Sequence, residues 1–188
     1  MVLEAWANIL NRVLDSRLVI CVPEGAVRQD MAHFFAALGV APDRISAFSK
    51  VSHEEFWKLH SEVDIVLDPF PFGGGTTSCE TLWLGVPMVT CTGREGGDFA
   101  PRFSSRMGYS FLSSLGAAEL AAETVAGYID IAVNLAGNPE QMVLLRQTLR
   151  RRMASAPLTD EMRFILEMEE AYRSMWQAWC GINQNLQR

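Results

Sequence analysis

Residues 63–91 read Val63-Asp64-Ile65-Val66-Leu67-Asp68-Pro69-Phe70-Pro71-Phe72-Gly73-Gly74-Gly75-Thr76-Thr77-Ser78-Cys79-Glu80-Thr81-Leu82-Trp83-Leu84-Gly85-Val86-Pro87-Met88-Val89-Thr90-Cys91. This stretch decides the fold. Residues 63–67 are a short apolar run of strand length, and a Pro/Gly loop follows. A helix is expected from about residue 78 to residue 84, closed by Gly85, and residues 87–91 form the next strand.

The same rhythm runs upstream. Residues 17–22 read as a buried strand, residues 23–25 as a loop, and residues 26–38 as a helix with Gly39 in the C′ position. Residues 45–48 are a short strand. Ser52 and Glu55 have capping-box spacing and start a helix to about residue 61. Residues 5–14 have helical composition. Strands thus alternate with helices over residues 17–91, with no Asn-Gly hairpin turn between strands. That pattern is the signature of βαβ units: an α/β, Rossmann-like parallel sheet with helices on both faces.

Downstream, a glycine-rich stretch at residues 93–97 follows the last clear strand, and the chain then turns helical. Asn138-Pro139 starts a helix with proline at its first position. Leu144, Leu145 and Leu149 supply an apolar stripe as far as Met153. Pro157 separates this helix from a last one, residues 160 to about 180, rich in Met, Tyr and Trp. The expected organisation is a single lobe over residues 1–188, with a core at 17–116 and a helical segment at 120–180.

Of the 188 residues 49% are hydrophobic and 20% charged, so a packed core is expected rather than disorder. A chain of this length buries roughly 70% of its unfolded surface. The formal net charge of −6 argues against a nucleic-acid-binding face. No apolar run reaches the ~18 residues of a membrane span. The N-terminus lacks the positive region of a signal peptide, so a cytoplasmic protein is expected. Cys21, Cys79, Cys91 and Cys180 lack zinc-knuckle spacing and are not paired with His33, His53 or His60. They are expected as buried free thiols, with no metal site.

Chemistry is expected where the third strand ends, because ligands of an open parallel sheet sit beyond the carboxyl ends of its strands. Gly73, Gly74 and Gly75 let the backbone approach a ligand closely. They lead into a helix N-terminus, where free N–H groups favour an anion. Thr76 and Thr77 can add hydroxyl donors to phosphate oxygens, and Glu80 can accept from both hydroxyls of a ribose. A purely structural alternative stands beside this. Thr77 and Glu80 have capping-box spacing, and the glycines can simply shape a turn. The loop lacks the Lys-Ser/Thr ending of a P-loop and the spacing of the dinucleotide fingerprint.

The residue motifs Leu67-Asp68-Pro69-Phe70-Pro71-Phe72, Gly75 through Thr90, and Phe103-Ser104-Ser105-Arg106-Met107 resemble the C-terminal lobe of protein O-GlcNAc transferases. These are the family 41 glycosyltransferases, including a Spindly-type branch and bacterial members. The similarity extends outward to Trp6-Ala7-Asn8-Ile9-Leu10 and to Met175-Trp176. The resemblance implies a GT-B architecture of two Rossmann-like lobes, with the nucleotide sugar held mainly by the C-terminal one. It implies that Gly74, Gly75, Thr76 and Thr77 lie against the donor diphosphate, and that Glu80 holds the ribose. Ser52 and Phe56 lie in the segment that packs around the base, and Arg106 approaches the diphosphate. Three departures stand out: Phe56 where many relatives carry histidine, Gly75 where animal-type members carry histidine, and a longer loop over residues 94–102.

The resemblance further implies UDP-GlcNAc as donor, with no metal or other cofactor, and inverting transfer to Ser or Thr of a protein acceptor. No catalytic residue is expected within the chain. The N-terminal lobe with its active-site histidine, a diphosphate-neutralising lysine and the acceptor-binding tetratricopeptide repeats have no counterpart in it. The expectation is a donor-binding lobe, inactive alone, that needs the other lobe in cis or in trans. Two alternatives are a non-catalytic interaction module and a lobe of a transferase using another donor, such as GDP-fucose. His33, His53 and His60 are expected as ordinary helix side chains. Arg146, Arg150, Arg151 and Arg152 are expected as solvated charges favoured by the helix dipole. Trp176 and Trp179 are expected to pack the last helix.

Overall fold

The computed structural model describes the backbone of residues 1–186 and the side chains of residues 1–181. In chain order the elements are α1 (Val2–Arg12), β1 (Leu18–Cys21), α2 (Ala26–Ala37), β2 (Ile45–Phe48), α3 (His53–Glu62), β3 (Val66–Leu67) and α4 (Thr76–Trp83). β4 (Met88–Cys91), α5 (Phe103–Ser114), β5 (Ala121–Ala122), α6 (Val125–Ala136), α7 (Pro139–Ala154) and α8 (Glu161–Leu186) complete them. All strand pairs are parallel. β1 pairs with β2 in one ladder, and β4 lies between β3 and β5 in the other. Helices make the crossovers, as parallel neighbours require. Both ladders contribute to one hydrophobic core.

β4 is buried along its whole length, as expected for a strand with both faces covered. β1 is not the fully buried strand that its apolar run suggests. Leu18 is buried, but Val19 is 41% exposed and Cys21 is exposed. Packing on one face only makes its residues alternate. β5, a two-residue strand of alanines, was not expected. It places part of the segment read as helical in the sheet beside β4.

The punctuation follows local chemistry. Gly39 and Gly85 take positive φ of 81° and 79° just beyond α2 and α4. The Ser52–Glu55 capping box opens α3, and the Asn138 side chain accepts from the Gln141 N–H at the start of α7. α1 is anchored at both levels. Trp6 Nε1 donates to Tyr128 Oη of α6 at 3.0 Å, and the Arg44 guanidinium donates to the Leu10 and Val13 carbonyls at 2.8 and 2.9 Å. A cation satisfying the last carbonyls of a helix supplies charge and hydrogen bonds together.

Three expectations are corrected. Among the four cysteines only Cys91 is buried, while Cys21 is exposed and Cys79 and Cys180 are half-buried. The α7 arginines are not simply solvated. Arg146 donates to the Val63 carbonyl at 2.8 Å, Arg152 to the Gly116 carbonyl at 3.1 Å, and Arg150 lies over the Trp83 ring at 5.2 Å. Trp176 and Trp179 do not pack: they are 66% and 59% exposed on α8, whose Phe164, Leu166, Tyr172 and Met175 also face solvent.

Candidate functional site

β3 delivers the chain to Asp68, which is 2% exposed. Its Oδ1 accepts from the Gly74 N–H at 2.8 Å and from Ser78 Oγ at 3.4 Å, and its Oδ2 accepts from Thr90 Oγ1 of β4 at 2.7 Å. Burial pushes this carboxyl above the usual aspartate range, and the three hydrogen bonds oppose that shift. The loop is also fastened to α5. The Gly73 N–H donates to the Ser104 carbonyl at 3.3 Å, and Ser104 Oγ donates to the Pro71 carbonyl at 3.4 Å.

α4 begins at Thr76, two residues before the expected start, with Gly75 as N-cap and no side-chain cap. Thr76 and Thr77 are exposed. Among the described residues no acceptor is bonded to the N–H of Gly75, Thr76 or Thr77, and no acidic side chain lies in the first turn. The mouth of the helix is open. It presents amides and hydroxyls, which suits an anion.

The Thr77–Glu80 capping box does not form. Glu80 Oε1 instead pairs with His53 Nε2 at 2.6 Å, and the His53 ring packs on Trp57 with centroids 4.7 Å apart. The first turn of α3 is thereby held against α4. An open cavity of about 210 Å³ lies beside the pair, with Trp57, Thr76, Glu80 and Trp83 among its walls. Cys79 also borders it, and burial together with the Glu80 charge raises its thiol pKa.

The structure brings Gly74, Gly75, Thr76, Thr77 and Glu80 together at the α4 N-terminus. Ser52 lies at the start of α3, its hydroxyl donating to Glu55 Oε2 at 2.8 Å. Phe56 is half-buried against His60, centroids 4.2 Å apart, and His60 is itself buried with Nε2 3.1 Å from Thr81 Oγ1. Arg106 is exposed in the first turn of α5. Two organising residues escape the sequence reading. His53 meets Glu80 from 27 positions away, and Asp68 stands in the quoted motif as an unremarkable loop residue.

A parallel α/β lobe whose strand end passes through glycines into an open helix N-terminus has the build of a domain that can take an anion beyond the carboxyl ends of its strands. The sequence profile of glycosyl transferase family 41 matches residues 1–168, and the chain belongs to that family. It is 36% identical over 183 residues to the Petunia hybrida protein named "Probable UDP-N-acetylglucosamine--peptide N-acetylglucosaminyltransferase SPINDLY", covering 95% of this chain and 19% of that one. Against the SEC protein of Arabidopsis thaliana, with the corresponding name, identity is 29% over 97% of this chain and 18% of the relative. A solved mutant of the Thermobaculum terrenum O-GlcNAc transferase superposes with a TM-score of 0.86 at 32% identity, covering 95% of this chain and 34% of that one. The fold is therefore that of a GT-B glycosyltransferase lobe. The chain spans about a fifth of the length of these curated relatives. Among the described residues no helix is long and apolar enough to cross a membrane.

Proposed function

We propose that this chain is the donor-binding lobe of a protein O-linked N-acetylglucosaminyltransferase, holding UDP-GlcNAc at the mouth of α4. The observation that carries this reading is the open N-terminus at Gly75–Thr77, with unbonded amides, two exposed hydroxyls and a carboxylate one turn further on. The N–H groups and the Thr76 and Thr77 hydroxyls bond the diphosphate, and Glu80 accepts from the ribose. Ser52 and Phe56 face the base, and Arg106 adds positive charge on the α5 side.

In inverting transfer the acceptor hydroxyl attacks the anomeric carbon opposite the departing UDP. Charge grows on the leaving diphosphate, and preorganised amides and hydroxyls stabilise it without reorganising. The chain thus serves the leaving-group half of the reaction. The groups that take the acceptor's proton belong to an N-terminal lobe, supplied in cis or in trans, and the acceptor protein is bound outside this chain. The exposed apolar side chains of α8 support a surface that a further lobe covers.

Calorimetric titration of the purified chain with UDP, UDP-GlcNAc and GDP tests the site. Saturable heat with the uridine nucleotides is expected, and about 2.7 kcal/mol of added stability at 100 times Kd. No heat with UDP overturns the reading, and preference for GDP reassigns the donor. Turnover of UDP-GlcNAc by the chain alone, abolished by Thr77→Ala, would overturn the assignment of the chemistry to another lobe.

A further inference from the structure

The loop between β3 and α4 is built around Asp68, a residue that does not face the mouth. Both carboxylate oxygens are committed: Oδ1 to the Gly74 N–H and Ser78, Oδ2 to Thr90. The surrounding space is filled by the Ser78 and Thr90 side chains and by glycine backbone. A Cβ added to Gly73 would stand 2.8 Å from Asp68 Oδ2, and one added to Gly108 would stand 2.8 Å from the same atom. A Cβ on Gly74 would run into Ser78 Oγ. The loop, α4, α5 and β4 therefore close on one carboxylate with no room for a side chain between them. Enclosed in this way, Asp68 cannot reach a substrate, so its part is indirect.

Resting on the donor-site reading above, we propose that Asp68 is a positioning residue for the diphosphate. By taking the Gly74 N–H inward, it fixes the backbone from which the next three amides, at Gly75, Thr76 and Thr77, are presented to phosphate oxygens. An isolated helix N-terminus binds anions weakly because its ends fray. One braced by a buried acceptor at its entry has its donors set before the ligand arrives. The base contacts lie on α3, and Glu80, which takes the ribose, is oriented by His53 of α3, so neither depends on this brace.

The test compares UDP with uridine on the 188-residue chain, by calorimetry. Asp68→Ala is expected to weaken UDP roughly tenfold, the scale of one lost buried hydrogen-bonding partner, while uridine stays within about twofold. Asp68→Asn keeps an acceptor for Gly74 and sets its amide against the Thr90 hydroxyl, so UDP returns to within about threefold of wild type. Thr90→Val, which removes one donor and leaves the loop sequence intact, weakens UDP about threefold and spares uridine. UDP affinity unchanged in Asp68→Ala, or uridine lost in equal proportion, overturns the proposal. If Asp68→Ala does not fold, the UDP-to-uridine ratio in Thr90→Val decides the same question. A wild-type chain that binds no UDP sinks the donor-site reading instead. Hydrogen exchange at the Gly74 amide then decides for Asp68, because exchange no faster in Thr90→Val than in wild type overturns the brace.

Discussion

His53 Nε2 lies 2.6 Å from Glu80 Oε1, and this contact joins the first turn of α3 to the first turns of α4. Both side chains are solvent-accessible, so the pair adds little to stability. Its consequence is orientation. Glu80, held by a neighbour instead of capping its own helix, forms part of the wall of the cavity beside Thr76 and Trp57.

Glu80→Ala is expected to lower UDP affinity roughly tenfold, since hydrogen bonds to an ionised acceptor are among the stronger ones. The loss belongs to the ribose. Titration with 2′,3′-dideoxy-UDP should give the same Kd for wild type and variant, and a difference there would remove Glu80 from the ribose.

The three glycines of the loop are not equivalent. Gly74→Ala drives a Cβ into Ser78 Oγ and to 2.9 Å from Thr77 Oγ1, whereas Gly75→Ala meets nothing closer than Met107 Cε at 3.7 Å. Urea unfolding should show Gly74→Ala destabilised by about 1–3 kcal/mol, and Gly75→Ala by less, about 0.5–1 kcal/mol for alanine at an N-cap. Equal losses would mean that the loop is not packed as described.

Tyr128 is fully buried, and its hydroxyl accepts the Trp6 indole N–H at 3.0 Å. Tyr128→Phe leaves that donor without a partner inside the core and should cost about 1–3 kcal/mol in denaturant unfolding. Burial also pushes the phenol above its ordinary range, so ultraviolet titration should find Tyr128 un-ionised in the folded chain at pH values above the ordinary tyrosine pKa.

Asp68 gives the stability of the chain a defined pH dependence. Its folded-state pKa is raised above the ordinary value of 3.8, so the folded chain binds its proton more tightly than the unfolded one. The stabilisation contributed by that proton is complete below pH 3.8 and is lost as pH rises through the folded value. Asp68→Asn carries no such titration. The stability difference, variant minus wild type, should therefore grow between pH 4 and pH 7 in urea melts. A difference that is flat or shrinks would mean the carboxylate is not desolvated.

The alternation of strand and helix was legible because its punctuation is local: Gly39, Gly85, the Ser52–Glu55 box and Asn138-Pro139 each act on adjacent backbone. That Gly74, Gly75, Thr76, Thr77 and Glu80 meet at one helix start was legible for the same reason, because they are neighbours in sequence. β5 was not, because two alanines carry no β-branched signal and become a strand only by pairing with Thr90 and Cys91. The start of α4 was misplaced because Gly75 caps it without a side chain, while the expected cap partner, Glu80, turns to His53. Asp68 carried no mark either. An aspartate before a proline looks like any turn residue until Thr90, 22 positions later, closes over it.

α8 gives the protein an optical property of its own. Trp176 and Trp179 stand in water, whereas Trp6 is shielded in the core. Indole emission shifts to shorter wavelength when its surroundings become dry, so this helix carries a built-in fluorescent sensor of its own coverage. Whatever surface closes over it, the blue shift of two tryptophans would report the event without a label.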